Sequence, residues 1–197
     1  MRVLTVLSHP VPESFVAAVH ARLVEALNAA GHEVRTLDLY AEGFDPVMRA
    51  DERRGYMSVG ANAAGVAEHL AHLRWAEGLV LVYPTWWYSL PAMLKGWLDR
   101  VFVPGETFTL RKGLNPIEGR LTHIRLIGGI STYGSPAWWI RWVVRDPGRK
   151  VIMHGLKPLC APGCRTFWLG LHRMDTVSEA RRRAFLDEVG RLAARIG

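Results

Sequence analysis

Three short stretches gather the residues able to bind or react. The first, SHPVPESF, leads His9, Glu13 and Ser14 into a helical pattern. The free N–H groups and dipole at a helix start attract phosphate. Ser14 adds a hydroxyl donor, and His9 adds a ring N–H, charged when protonated. The same residues serve equally as plain helix caps. The run is neither the glycine-rich dinucleotide fingerprint nor a phosphate loop ending in Gly-Lys-Ser/Thr. The second stretch, VYPTWWYSLP, sets Pro84, Thr85, Trp86, Trp87 and Tyr88 between an apolar and an amphipathic run. Large rings gain by burial, so three in one loop need a flat cover. That cover is the chain's own core, a partner, or a planar ligand. The third, ISTYGSP, offers the hydroxyls of Ser131 and Thr132, the ring and polar tip of Tyr133, and close backbone approach at Gly134. Alone it reads as an ordinary turn.

The elements around these stretches follow from periodicity. Arg2 to Ser8 is a short apolar run, as in a strand buried on both faces. Glu13 to Ala30 is helical, with Phe15, Val19, Leu23 and Leu27 on one side and Gly31 as its stop. Glu33 to Leu39 predicts a second strand, and residues 40–60 a loop with one helical turn. Asn62 to Glu77 predicts a helix, Gly78 to Tyr83 a third strand, and Leu90 to Phe102 a helix with proline in its first turn. Leu121 to Ile130 predicts a fourth strand. Ala137 to Arg145 and Lys150 to Leu159 predict helices, Arg165 to Leu171 a fifth strand, and Val177 to Ile196 a closing helix. Strands alternating with helices predict one α/β domain over residues 1–197, a parallel sheet of five strands with helices on both faces. Ligands of such sheets bind beyond the carboxyl ends of the strands, at the switch in strand order. The loops Ser8–Ser14, Tyr83–Ser89 and Ile130–Ser135 all leave strand ends there, which favours a planar ligand over a protein partner.

Composition narrows the classes. The 197 residues are 49% hydrophobic and 22% charged, a globular balance. No apolar run approaches the roughly 20 residues that span a bilayer. The start, MRVLTVLSHP, lacks a long apolar core and a small-residue cleavage site, so a cytoplasmic protein is expected. Cys160 and Cys164 stand in neither a redox pair nor a zinc spacing, and free, half-buried thiols are expected, with no metal. The formal charge of +7 suits an anionic cofactor, a membrane face or nucleic acid, and counts against an acidic one-electron carrier. The basic residues are scattered and the aromatics sit at strand ends, so no nucleic acid is expected, and membrane contact only at the periphery.

Taken in order, SHPVPESF, YPTWWYSLPAMLKGWLDRVF and ISTYGSP resemble the NAD(P)H:quinone oxidoreductases of the flavodoxin-like fold. That family includes FAD-dependent quinone reductases and ancillary subunits of potassium efflux systems. Pro84, Trp87, Tyr88, Pro91, Leu94, Lys95, Trp97, Asp99, Arg100, Val101 and Phe102 match its longest motif, and His9, Ser14 and Phe15 match its first. Trp86 stands where the family usually has Gln, Val16 replaces a frequent Asn, and Ser131 to Gly134 depart from Thr-Thr-Gly-Gly.

The resemblance implies a flavodoxin-like three-layer fold and a flavin, FMN with FAD as the alternative. His9, Ser14 and Phe15 would hold its phosphate end. Pro84, Thr85, Trp86, Trp87 and Tyr88 would line its ring, with Ser131, Thr132, Tyr133 and Gly134 closing the other side. It implies hydride transfer from NAD(P)H to a quinone or similar planar acceptor, and a homodimer with its site at the interface. Tyr133 is the candidate proton donor, with His154 a weaker one. Trp138, Trp139, Ile140, Trp142 and Val143 would cover a partner's flavin, or else pack on their own core. Arg141, Arg145 and Arg149 would meet the phosphates of NADPH or an acidic partner. The other readings are a regulatory subunit of a membrane transporter and a flavin reductase serving a monooxygenase.

Overall fold

The computed structural model describes residues 1–110 and 117–196. In chain order, the first half comprises β1 (Arg2–Leu7), α1 (Phe15–Ala29), β2 (Glu33–Asp38), α2 (Ala50–Gly55), α3 (Ala67–Trp75), β3 (Gly78–Thr85) and α4 (Ala92–Val101). There follow β4 (Phe108–Thr109), β5 (Glu118–Gly119), β6 (Leu126–Tyr133), α5 (Pro147–Lys150), β7 (Arg165–Leu171) and α6 (Glu179–Ala193). Five strands form one parallel sheet in the order β2-β1-β3-β6-β7. The expected three-layer α/β architecture is therefore present.

The central strand shows why. In β3, Leu79, Leu81 and Tyr83 face one side and Val80 and Val82 the other, and all are buried. Val19, Leu23 and Leu27 of α1 join Phe185 and Val189 of α6 on the Val80 side. Leu70 and Leu73 of α3, Leu94 and Trp97 of α4, and Ile152 pack on the Leu81 side. Within the first layer, His20 of α1 is buried against Thr5 of β1, Nε2 2.9 Å from Oγ1.

The chain goes from β1 outward to β2, then back across to β3. The strand order therefore reverses between β1 and β3, and a crevice opens at their carboxyl ends. The strands stop unevenly there. β1 pairs with β3 as far as Leu7–Val82, whereas β3 and β6 stay paired to Thr85–Tyr133. Val82 offers its carbonyl to Ser8 N–H, so by alternation residue 84 also turns its backbone toward β1. β1 has ended at that height, and Pro84, which has no N–H to offer, fits without losing a ladder bond.

The expected fourth strand, Leu121–Ile130, is displaced. The strand starts at Leu126 and runs on to Tyr133. Leu121 and Ile124 owe their apolar character to a buried turn, in which Ile124 N–H bonds the Leu121 carbonyl. The antiparallel ribbon of β4 and β5, two residues each, has no counterpart in the expected elements. The expected helices over 62–77, 137–145 and 150–159 are present but broken. A 3₁₀ turn (Ala61–Val66) precedes α3, and wide π-helical turns (Trp139–Val144 and Val151–Leu156) flank α5. Cys160 and Cys164 are free, but fully rather than half buried, and burial pushes the Cys160 thiol up to about 12. Among the described residues, no helix is long and apolar enough to cross a membrane.

Candidate active site

Each side of the crevice is built by a strand end. After β1 the chain turns through His9 to Val11 and into α1. Ser14 caps that helix, its Oγ accepting Ala17 N–H at 3.2 Å. The first turn of α1 carries no acidic side chain, so its free N–H groups and positive dipole end stay uncompensated. His9 Nδ1 lies 3.1 Å from Val11 N and 3.2 Å from the Val11 carbonyl oxygen; in the tautomer that accepts Val11 N–H, Nε2 carries the ring proton. Ser8 Oγ is buried and has no hydrogen-bond partner among the described residues.

After β3 the chain makes a two-residue turn. Trp86 and Ser89 exchange both backbone hydrogen bonds, at 3.2 and 3.0 Å. Between them, Trp87 and Tyr88 take φ of 47° and 63°. Hairpins ordinarily give such left-handed positions to Asn or Gly. For bulky residues the strain is on the order of 1–3 kcal/mol each, and it persists where the surroundings enforce it. Here Leu90 and Leu94 are buried behind the turn and Pro91 starts α4. The consequence is display: Trp87 is 95% exposed. The Trp86 ring lies 5.9 Å from His9, so the first two stretches meet across the switch point.

The third side is the end of β6. Ser131, Thr132 and Tyr133 are buried strand residues, not loop residues, and this corrects their expected place. Ser131 Oγ is 2.8 Å from Thr85 Oγ1. The Tyr133 hydroxyl donates to Asp146 Oδ2 (3.0 Å) and accepts from Trp168 Nε1 (3.1 Å), and its ring stacks on His172 at 4.5 Å. Burial first, and then the Asp146 charge, raise its pKa well above the ordinary phenol value. Tyr133 is thus a wall of the site, its proton held by Asp146, rather than a free acid. Asp146 itself sits at φ 43° beside Arg145 at φ 63°, and it caps α5 through Arg149 N–H.

The second and third sides, with Ile140, enclose a cleft of about 240 Å³ lined by Thr85, Trp87, Tyr88, Tyr133, Gly134 and Ile140. Two further expectations are corrected. Pro84 is buried inside β3 and forms no part of the aromatic shelf. The Phe15 ring turns inward onto Phe185 of α6 at 6.3 Å and packs with the α1–α6 layer. Trp138, Trp142 and Val143 are exposed, as covering residues would be, whereas Ile140 is buried. His154 is exposed and lines a separate groove, not the cleft. Sequence reading missed Asp146, Trp168 and His172. A sign of the first was on the page, since Asp146-Pro147-Gly148 is a helix-start signature.

Residues 1–142 match the family described as having a flavodoxin-like fold. The chain is 36% identical over 112 residues to YcaK, an uncharacterised NAD(P)H oxidoreductase of Escherichia coli K12, covering 54% of this chain and 55% of the relative. It is 30% identical over 154 residues to NAD(P)H dehydrogenase (quinone) 1 of Cavia porcellus, covering 70% of this chain and 55% of the relative. A solved structure, Smu.1420 from Streptococcus mutans UA159, superposes with a TM-score of 0.83 over 100% of both chains at 30% identity. The chain spans about half the length of the curated relatives it matches.

Proposed function

Because the chain belongs to the flavodoxin-like fold family, we propose that it is a flavin-dependent NAD(P)H oxidoreductase that passes two electrons to a quinone or a similar planar aromatic acceptor. The observation that carries this reading is the strained Trp87–Tyr88 turn at the switch point. Backbone strain and exposed rings are hard to account for unless something flat lies against them.

The residues fit FMN. A phosphate would sit at the uncompensated start of α1, with Ser14, His9 Nε2 and the orphaned Ser8 hydroxyl as further donors. The ring would lie between the Trp86–Tyr88 turn and the wall made by Tyr133 and Gly134. Bound flavin supplies the hydride chemistry, and the protein supplies binding, orientation and electrostatics. Trp86 stands where the family that the sequence resembles usually has Gln. Polar contacts to the ring edge then fall to backbone groups and to Thr85, whose hydroxyl is paired with Ser131. Either hydroxyl of that pair can donate, so Thr85 can turn its proton toward the cleft. Tyr133 and Asp146 hold the wall and keep their own proton out of the exchange.

The cleft is shallow for one chain, the Trp87 ring at its rim stays 95% exposed and Trp138 lies outside it. A second copy of this chain would cover them, so the working form is a homodimer. Activity that survives nanomolar dilution as a monomer would sink that part. Buried free thiols and the use of reduced nicotinamide would suit the cytoplasm.

The test is the visible spectrum of the purified protein, with release and identification of any yellow compound. FMN that NAD(P)H bleaches and a quinone restores is the expected result. A colourless protein that takes up neither FMN nor FAD would overturn the reading.

A further inference from the structure

Beside the cleft lies a much larger groove, about 1090 Å³, between segment 137–157 and β7. Arg141, Arg145, Arg149, Lys150 and Lys157 line it, and Asp146 is the single acidic residue among its walls. Among the described residues, none of these five cations makes an ion pair, although ten ion pairs are recorded elsewhere on the molecule. Asp146 is already committed to Tyr133 and to Arg149 N–H. Uncompensated positive charge collected in one concavity destabilises the free protein and favours an anion there.

The backbone here is also unusual. Two π-helical turns bracket the left-handed pair Arg145–Asp146, a combination that recurs at functional sites. It throws successive arginines to one side. Trp142, with Arg141 over its ring at 5.3 Å, and the half-buried Trp168 give the groove flat walls as well as charge. The groove and the cleft share Ile140, and Tyr133 stacks on His172 of the groove. A ligand reacting in the cleft can therefore lay its far end in the groove.

We propose that this groove takes the adenosine half of NADPH, with the arginines on its 2′-phosphate, so that the protein prefers NADPH to NADH. This rests on the oxidoreductase reading above. A guanidinium offers a planar fork to a phosphate, and the 2′-phosphate is the one group that distinguishes the two coenzymes. An acidic protein or a nucleic acid would also meet the charge, but neither accounts for a groove that adjoins the aromatic cleft, with Ile140 in the wall of both.

Two readouts test it. With the FMN-loaded protein, kcat/KM for NADPH exceeds that for NADH. Arg141→Glu and Arg149→Glu each lower the NADPH value by about ten- to a hundredfold, mainly through KM, and leave NADH within a few-fold. Arg183→Ala, on α6 and outside the groove, changes neither. The second readout needs no turnover: calorimetric titration of the same protein with 2′,5′-ADP and with 5′-AMP. Binding of 2′,5′-ADP alone, lost in both glutamate variants, supports the groove even if reductase activity is absent. Equal use of both coenzymes, or no discrimination between the two nucleotides, overturns it. So does competition by single-stranded DNA as effective as that by 2′,5′-ADP, which would mark a general polyanion surface.

Discussion

Tyr133 illustrates how far a residue's type can mislead about its part. A tyrosine near a redox cleft invites the role of proton donor, and its place after Ile130 suggested a loop. The fold buries it and ties its hydroxyl to Asp146 and Trp168. Tyr133→Phe is therefore expected to leave two half-buried polar groups, the Asp146 carboxylate and Trp168 Nε1, without this partner and to cost about 1 kcal/mol in urea unfolding. Turnover should drop by much less than the ~100-fold that loss of a general acid brings. A drop of that size with unchanged stability would return the catalytic role to Tyr133. Trp87 is the opposite case, a residue expected in an exposed loop and found displayed there. Trp87→Gly removes a side chain that is 95% exposed from a left-handed position. It should raise stability by about 1 kcal/mol while raising KM for a quinone. Loss of stability instead would mean that the ring serves packing. His172 was out of reach because its neighbours are brought to it only by the fold, and Asp146 was legible only as a helix start, its bond to Tyr133, 13 residues away, being made by the fold.

At the scale of elements, the apolar strands and the faces of α1 and α4 could be read from periodicity alone. The end of β6 could not. Ser131, Thr132 and Tyr133 continue the strand, but polar residues after an apolar run look like a turn. They are polar because that end of the sheet borders the site. The neighbouring Gly128 and Gly129 have a different cause. A Cβ on Gly128 would come 2.3 Å from the Phe167 ring, and one on Gly129 2.3 Å from Trp168. The glycine pair lets two aromatic residues of β7 lie over β6, one on each face. Gly129→Ala should displace Trp168 and with it one support of Tyr133. It should lower the urea midpoint by an amount equivalent to about 1–3 kcal/mol. An unchanged midpoint would show that β7 has room to shift.

For the whole molecule, the α1–β1 contact sets an acid limit. Burial, partly offset by the Asp38 charge, lowers the His20 pKa to about 4, against 6.5 in the open chain. As pH falls the unfolded chain takes the proton first. Stability is complete above pH 6.5, declines between 6.5 and 4, and levels off below that range. Between pH 7 and 5 the loss should be roughly 2 kcal/mol in urea titrations, and His20→Gln should flatten it. An unchanged slope in that variant would shift the cause to other groups. The uneven strand ends have a consequence for how the chain assembles. If β1 slid two residues along β3 toward the crevice, its side chains would keep their faces and the hydrophobic layers would scarcely object. The misaligned β1 would then need a hydrogen from residue 84, and proline has none. Pro84 thus guards against the slippage error that the apolar pattern is least able to prevent, and keeps the crevice from being filled by the chain's own first strand.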